Sequence, residues 1–236
     1  MTDQRIAAIT ELYETEKTYV QGLQTLCSVF SDPIRLAPKA LLLRRTPKND
    51  IASSSQRLLT NEEITKIFSN IDTLLPFHQE MLTALEETIS NEKYAIGTLM
   101  LTRAPFFRMY SQYLNNYSFA LATLKTCEEQ DPDFKTFLDT SHKDPRMNGL
   151  NIVAFLLLPV QRIPRFFFLS FCLFHNCFDF RIQLFFFYYY FFLFSYKLLL
   201  EVIYKHTTQY DPDYKNLTQA LQSVTEITEQ VFHYQL

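Results

Sequence analysis

Glycine is nearly missing from this chain: Gly22, Gly97 and Gly149 are the only three among 236 residues. That scarcity excludes the glycine-built phosphate loops, and neither GxxxxGK(S/T) nor GxGxxG occurs. HExxH and GxSxG are absent too, so no zinc-protease helix and no nucleophile elbow can be written. Cysteine is sparse. Cys27, Cys127, Cys172 and Cys177 form no CxxC pair and no zinc spacing, and a reduced cytoplasmic compartment fits them better than a secreted one. His78, His142, His206 and His233 are scattered without metal-ligand pairing and read as surface or capped side chains, so neither a metal nor a cofactor is expected. A large charge of one sign is lacking as well. The formal net charge of −3 gives no reason to expect nucleic acid or an acidic membrane as the main partner. The opening residues lack the basic start, apolar run and small-residue cleavage site of a secretory signal.

What the chain does have is apolar residues at helical spacing. Ile6, Ile9, Leu12, Tyr13, Tyr19, Val20, Leu23, Leu26 and Phe30 trace a first helix, with Glu11, Thr15 and Thr18 on its other side. Spacing alone reads those three as a solvated face. Residues 31 to 59, with Pro33, Pro38, Pro47, Arg44-Arg45 and Ser53-Ser54-Ser55, read mostly as a loop. Thr60-Asn61-Glu62-Glu63 has the form of a capping box and starts a stripe running from Ile64 to Ile89, which Pro76 is expected to kink. A further helical region spans Ala95 to Leu124, with Pro105 at a bend or a helix start. A shorter helix lies around Phe134, Phe137 and Leu138. After a turn at Asp211-Pro212-Asp213-Tyr214, a final helix follows through Leu217, Leu221, Val224, Ile227 and Val231. The fold class is all-α.

One block does not fit. Residues 166 to 195 are 16 aromatics in 30, against 21 in the other 206. Deleting the block brings Leu156, Val160, Ile163, Tyr196, Leu200 and Ile203 onto one broad helical face, and Leu157, Gln161 and Arg165 onto a second at spacings of four. Kept in as helix, thirty residues would add about 120° of rotation and roughly 45 Å of length, and the two halves could not share a stripe. A membrane span of about 20 uninterrupted apolar residues is broken by Asp179 and Arg181. The alternatives are a hydrophobic lineage-specific insertion and translated intron sequence. Runs such as Phe185 to Phe187 and Tyr188 to Tyr190 are what T-rich intron sequence would encode, and thirty whole codons keep the frame; the block is therefore expected to be an intron-derived insertion outside the fold.

The joined string, LLLPVQRIPR running into YKLLLEVIY, closely resembles the third conserved region of the Dbl-homology domain. Glu11-Leu12-Tyr13-Glu14-Thr15-Glu16-Lys17-Thr18-Tyr19-Val20 resembles the first. EEITKIFSNI, RAPFFRMYSQYLNNY and MNGLNIVAFLLLPVQRIPR resemble the same family in the same order. The resemblance implies an elongated helical bundle of the Dbl-homology type, a single domain over residues 1–236 whose central helix is interrupted by residues 166–195. It implies guanine nucleotide exchange on a Rho-family small GTPase, by tighter binding of the nucleotide-free GTPase rather than by covalent chemistry. Glu11, with Thr15 on the same face, would meet switch I. Leu157, Val160, Gln161 and Arg165 would pack on switch II and disturb the magnesium site of the GTPase.

Two departures stand beside the resemblance. Phe232 occupies the position where the family carries an Asn that contacts the GTPase, and the block interrupts the functional stretch just after Arg165. Both favour the alternative, a non-catalytic helical interaction module of the same fold. The pleckstrin-homology domain that ordinarily follows this module is not found in the 236 residues, which suggests a fragment or a lost partner domain. Membrane contact is expected to be peripheral at most.

Overall fold

The computed structural model describes residues 2–36, 58–90, 95–160 and 196–233, and among the described residues there are helices, turns and no strand. They divide into two compact units, Met1–Tyr19 with Phe77–Ser111 and Pro159–Leu236, and Val20–Pro76 with Gln112–Leu158. In chain order the helices are α1 (Asp3–Leu26), α2 (Asp32–Leu36), α3 (Asn61–Phe68), α4 (Ile71–Ser90) and α5 (Ile96–Arg103). There follow α6 (Tyr110–Gln130), α7 (Pro132–Ser141), α8 (Ile152–Leu156), α9 (196–205) and α10 (Tyr214–His233).

The unit containing α2, α3, α7 and α8 is built on aromatic and aliphatic side chains. Leu23, Leu26, Phe30 and Ile34 are buried, and so are Ile64, Ile67 and Phe68 of α3 and Phe134 and Phe137 of α7. Phe30 meets Phe137 edge-on with ring centroids 6.3 Å apart, a preferred aromatic geometry. The capping box at α3 is present as its sequence requires. The Glu63 amide donates to Thr60 Oγ1 at 3.2 Å, and the Thr60 amide donates back to Glu63 Oε2 at 2.8 Å. Asp131 caps α7 by accepting from the amides of Asp133 and Phe134.

Several sequence boundaries need correction. The first helix does not run unbroken to Phe30: it widens into a π-type turn at Cys27–Ser31 and resumes as α2, so residues 32–36 are helix rather than loop. The Asp32 amide closes the wide turn by donating to the Cys27 carbonyl, and Pro33, which has no amide hydrogen to donate, follows directly. The stripe from Ile64 to Ile89 is two helices, α3 and α4, parted at Ser69 with φ +49°, and Pro76 lies inside the second. The Ala95–Leu124 region is two helices joined by a 3₁₀ segment, Ala104–Met109, with Pro105 in its first turn. Finally, α8 stops at Leu156, and Leu157 to Val160 form turns instead of continuing a helix. The cause is Pro159, which lacks an amide hydrogen and disfavours helical backbone at Leu158.

Cys27 and Cys127 are both free and buried here. Burial, reinforced by the Asp32 and Asp72 carboxylates, pushes the Cys27 thiol up to about 12. Burial and the nearby Glu63 push Cys127 up to about 11. The thiolate is the reactive form, so at pH 8 only about one Cys27 in ten thousand is reactive. Iodoacetamide followed by peptide mass spectrometry should leave both residues unlabelled in the native chain and label them in urea. Equal labelling in the two conditions would contradict their placement.

The other unit holds the start of α1, the end of α4, α5, α9 and α10. Arg5 Nη1 donates to Asp211 Oδ2 at 2.7 Å, tying the first turns of α1 to the segment between α9 and α10. Two residues on, Asp213 caps α5. Its carboxylate accepts from the Gly97 amide at 2.6 Å and from the Thr98 amide and hydroxyl, each at 2.9 Å. This brings α5 and α10 so close that a Cβ on Gly97 would stand 2.6 Å from Leu217 Cα. Along α10 the buried stripe is Leu217, Ala220, Val224, Ile227 and Val231. Along α9 it is Tyr196, Leu200 and Ile203, the spacing expected of the second half of the joined stretch.

Candidate functional site

The helix that carries the first site residues is sharply two-faced in this unit. Leu12, Glu16 and Tyr19 are buried, whereas Glu11, Glu14, Thr15 and Thr18 are exposed. The threonines turn their hydroxyls back to the helix: Thr15 Oγ1 donates to the Glu11 carbonyl at 2.7 Å, and Thr18 Oγ1 to the Glu14 carbonyl at 2.9 Å. Glu11 is exposed, so its carboxylate stands toward solvent. Beside this face, Tyr13 Oη donates to Glu86 Oε1 at 2.8 Å, and that bond holds the phenol above its ordinary range. Lys17 Nζ lies 5.6 Å from the Tyr13 ring centroid, within cation–π reach.

Of the remaining sequence candidates, Leu157 is half-buried in the turn after α8. Tyr113 Oη donates to the Leu156 carbonyl at 2.8 Å and so satisfies the end of that short helix. Gly22 of α1 makes room for Leu158, whose methyl would overlap a side chain at that position. Val160 is 2 % exposed, which corrects the expectation that its side chain packs on a partner. Gln161 and Arg165 lie outside the described residues, as do Arg162, residues 166–195 and the side chain of Phe232. Glu11 and Thr15 are therefore the pair brought together on one exposed surface.

Behind that surface lies a polar cluster that sequence spacing did not expose. Glu16 and His78 are both 0 % exposed, which corrects the reading of His78 as a surface or capped histidine. His78 Nδ1 is 2.6 Å from Glu16 Oε1, and His78 Nε2 is 2.6 Å from Tyr110 Oη. Tyr110 Oη is in turn 2.7 Å from Tyr19 Oη. Tyr196 Oη donates to the other carboxylate oxygen, Glu16 Oε2, at 2.5 Å. The His78 ring is gripped edge-on by Tyr19 and Phe77, and the Tyr196 ring lies on Phe107 at 4.8 Å. Four helices, α1, α4, α6 and α9, meet at these side chains. The one hint in the sequence is that Glu16 occupies the apolar stripe between Leu12 and Tyr19.

Among the described residues no group of His, Cys, Asp and Glu could hold a metal ion, and no helix is long and apolar enough to cross a membrane. The described residues form a helical assembly with an acidic face exposed on α1. The RhoGEF domain model matches residues 8–177, and the chain belongs to that family. It is 26 % identical over 227 residues to Rac guanine nucleotide exchange factor JJ of Dictyostelium discoideum, covering 96 % of this chain and 15 % of that protein. Among solved structures it resembles the activated truncation of Vav1, with a TM-score of 0.70, 19 % identity, and coverage of 98 % of this chain and 46 % of that one. It also resembles the PDZ-RhoGEF DH/PH domains solved in complex with activated RhoA, with a TM-score of 0.66 at 21 % identity, covering 99 % of this chain and 55 % of that one. The fold is thus that of the DH domain.

Proposed function

We propose that this chain is a guanine nucleotide exchange factor for a Rho-family small GTPase, working by selective binding of the nucleotide-free state and without covalent chemistry. The observation that carries the proposal is the Glu11–Thr15 face: an acidic, solvent-directed helix surface backed by a fixed interior, in a chain of the RhoGEF family. Glu11 engages switch I, with Thr15 beside it. Leu157, Gln161 and Arg165 engage switch II and the magnesium site, whereas the burial of Val160 takes it out of the contacting set. The module acts in the cytoplasm, with membrane contact peripheral at most. Residues 166–195 form an insertion outside a single DH domain, and a spliced transcript that keeps them would count against an intronic origin. Phe232, where the family has Asn, favours the second reading, a non-catalytic interaction module of the same fold.

Release of fluorescent GDP from Rac and RhoA separates the two, using the full chain and a version lacking residues 166–195. Exchange by either establishes the activity; a folded, helical but inactive pair leaves the interaction module. Glu11→Ala is expected to slow exchange by about 30-fold or more, corresponding to roughly 2 kcal/mol or more for a charge that becomes buried against its partner. Melting should stay unchanged, because an exposed substitution of this kind moves stability by no more than about 0.5 kcal/mol. Full exchange by Glu11→Ala would remove Glu11 from the site.

A further inference from the structure

A carboxylate at 0 % exposure in the middle of a helical interior is an unusual way to hold helices together. Well-packed apolar side chains in its place are often as stabilising or more so, because desolvating the charge offsets what its partners return. What apolar packing does not supply is direction. Glu16 accepts from two donors on different helices, His78 Nδ1 on α4 and Tyr196 Oη on α9, one at each oxygen. Two short bonds at the two oxygens of one planar group fix both the rotation of α1 about its axis and its position along α9.

The same helix carries Glu11 five residues earlier, about 7.5 Å along the axis and some 140° around it. A stiff helix transmits a displacement at Glu16 to Glu11 nearly undiminished. We propose that Glu16 and Tyr196 are a positioning couple for nucleotide exchange: the Tyr196 hydroxyl, acting through the buried Glu16 carboxylate, sets where Glu11 stands. This rests on the exchange-factor reading. It assigns a role to two residues that do not themselves touch the GTPase.

The informative variant is Tyr196→Phe. It keeps the ring on Phe107 and removes one hydroxyl, whereas Glu16 variants risk unfolding. Its control is Thr60→Ala, which deletes the α3 cap in the other unit and costs comparable stability while leaving the couple untouched. GDP release from Rac and RhoA is measured for the full chain, both variants, Glu11→Ala, and the double variant Tyr196→Phe with Glu11→Ala. Misplacement of a reacting group by about 1 Å reduces rates on the order of a hundredfold. The expected loss for Tyr196→Phe is therefore at least about tenfold. Thr60→Ala should stay within about twofold of the parent, and Tyr196→Phe should add nothing once Glu11 is gone. The couple is overturned if Tyr196→Phe matches Thr60→Ala, or if its effect multiplies that of Glu11→Ala. An inactive parent chain would overturn the exchange reading and the couple together, so measuring the parent first tells the two failures apart.

Discussion

Glu16→Ala is expected to lower the unfolding free energy by about 3–5 kcal/mol, the range for removing one partner of a buried hydrogen-bonded charge. Its two bonds, at 2.6 Å to His78 Nδ1 and 2.5 Å from Tyr196 Oη, leave an imidazole and a phenol without those partners in a place water does not reach. Each orphaned buried group costs about 1–3 kcal/mol. The vacated side-chain volume, with α1, α4, α6 and α9 all bordering it, adds to the loss rather than offsetting it. Against a typical domain stability of about 5–15 kcal/mol this is a large fraction. Urea unfolding followed by circular dichroism reads it directly. Glu16→Gln should fall between Ala and the parent, since the amide keeps one acceptor but presents a donor where a second acceptor was needed. A loss below about 1 kcal/mol for Glu16→Ala would mean that the cluster is not held as described.

Gly97→Ala should destabilise by about 2–4 kcal/mol, although glycine-to-alanine inside a helix ordinarily gains up to about 1 kcal/mol. The sign is decided by what the new methyl meets. Leu217 Cα at 2.6 Å and Asn216 C at 2.9 Å are backbone atoms that no rotamer change can withdraw. Helix α5 and helix α10 must separate, at an overpacking cost of about 1–3 kcal/mol. Separation also stretches the bonds from Asp213 to Gly97 and Thr98, and a lost cap costs about 0.5–2 kcal/mol. Asp213→Asn, which weakens the cap without the clash, should cost less than Gly97→Ala. The reverse order would place the energetic weight on the cap.

How much of this was legible beforehand depended on the range over which the signal acts. The Thr60–Glu63 box, the placement of Pro105 and the α10 stripe rest on neighbours within one or two turns, and these expectations hold in the structure except that Ala220 rather than Leu221 is buried. The end of α8 at Leu156 was also local: Pro159 announced it, but the apolar period running on toward Arg165 masked it. Glu16 and His78 were of another kind. They are 62 residues apart, and Tyr196 is 180 from Glu16, so no spacing rule joins them. A polar residue on an apolar stripe signals that some partner exists without saying which. Gly97 and Leu217 meet for the same reason unseen, through backbone proximity rather than side-chain type. On the candidate site, Glu11 was reachable only through resemblance, because periodicity alone makes it one more solvated acid.

The polar cluster behind Glu11 has a property that follows from its wiring. With the imidazole neutral, Nδ1–H faces the Glu16 carboxylate, and Tyr110 donates to Nε2 while Tyr19 donates to Tyr110. Add a proton at Nε2 and the two phenols simply turn about: the ring donates to Tyr110, and Tyr110 donates to Tyr19. Each of these contacts survives in both arrangements, since a phenol serves equally as donor and acceptor. Two hydroxyls in series can thus exchange donor and acceptor roles, so one set of contacts among His78, Tyr110 and Tyr19 serves either arrangement.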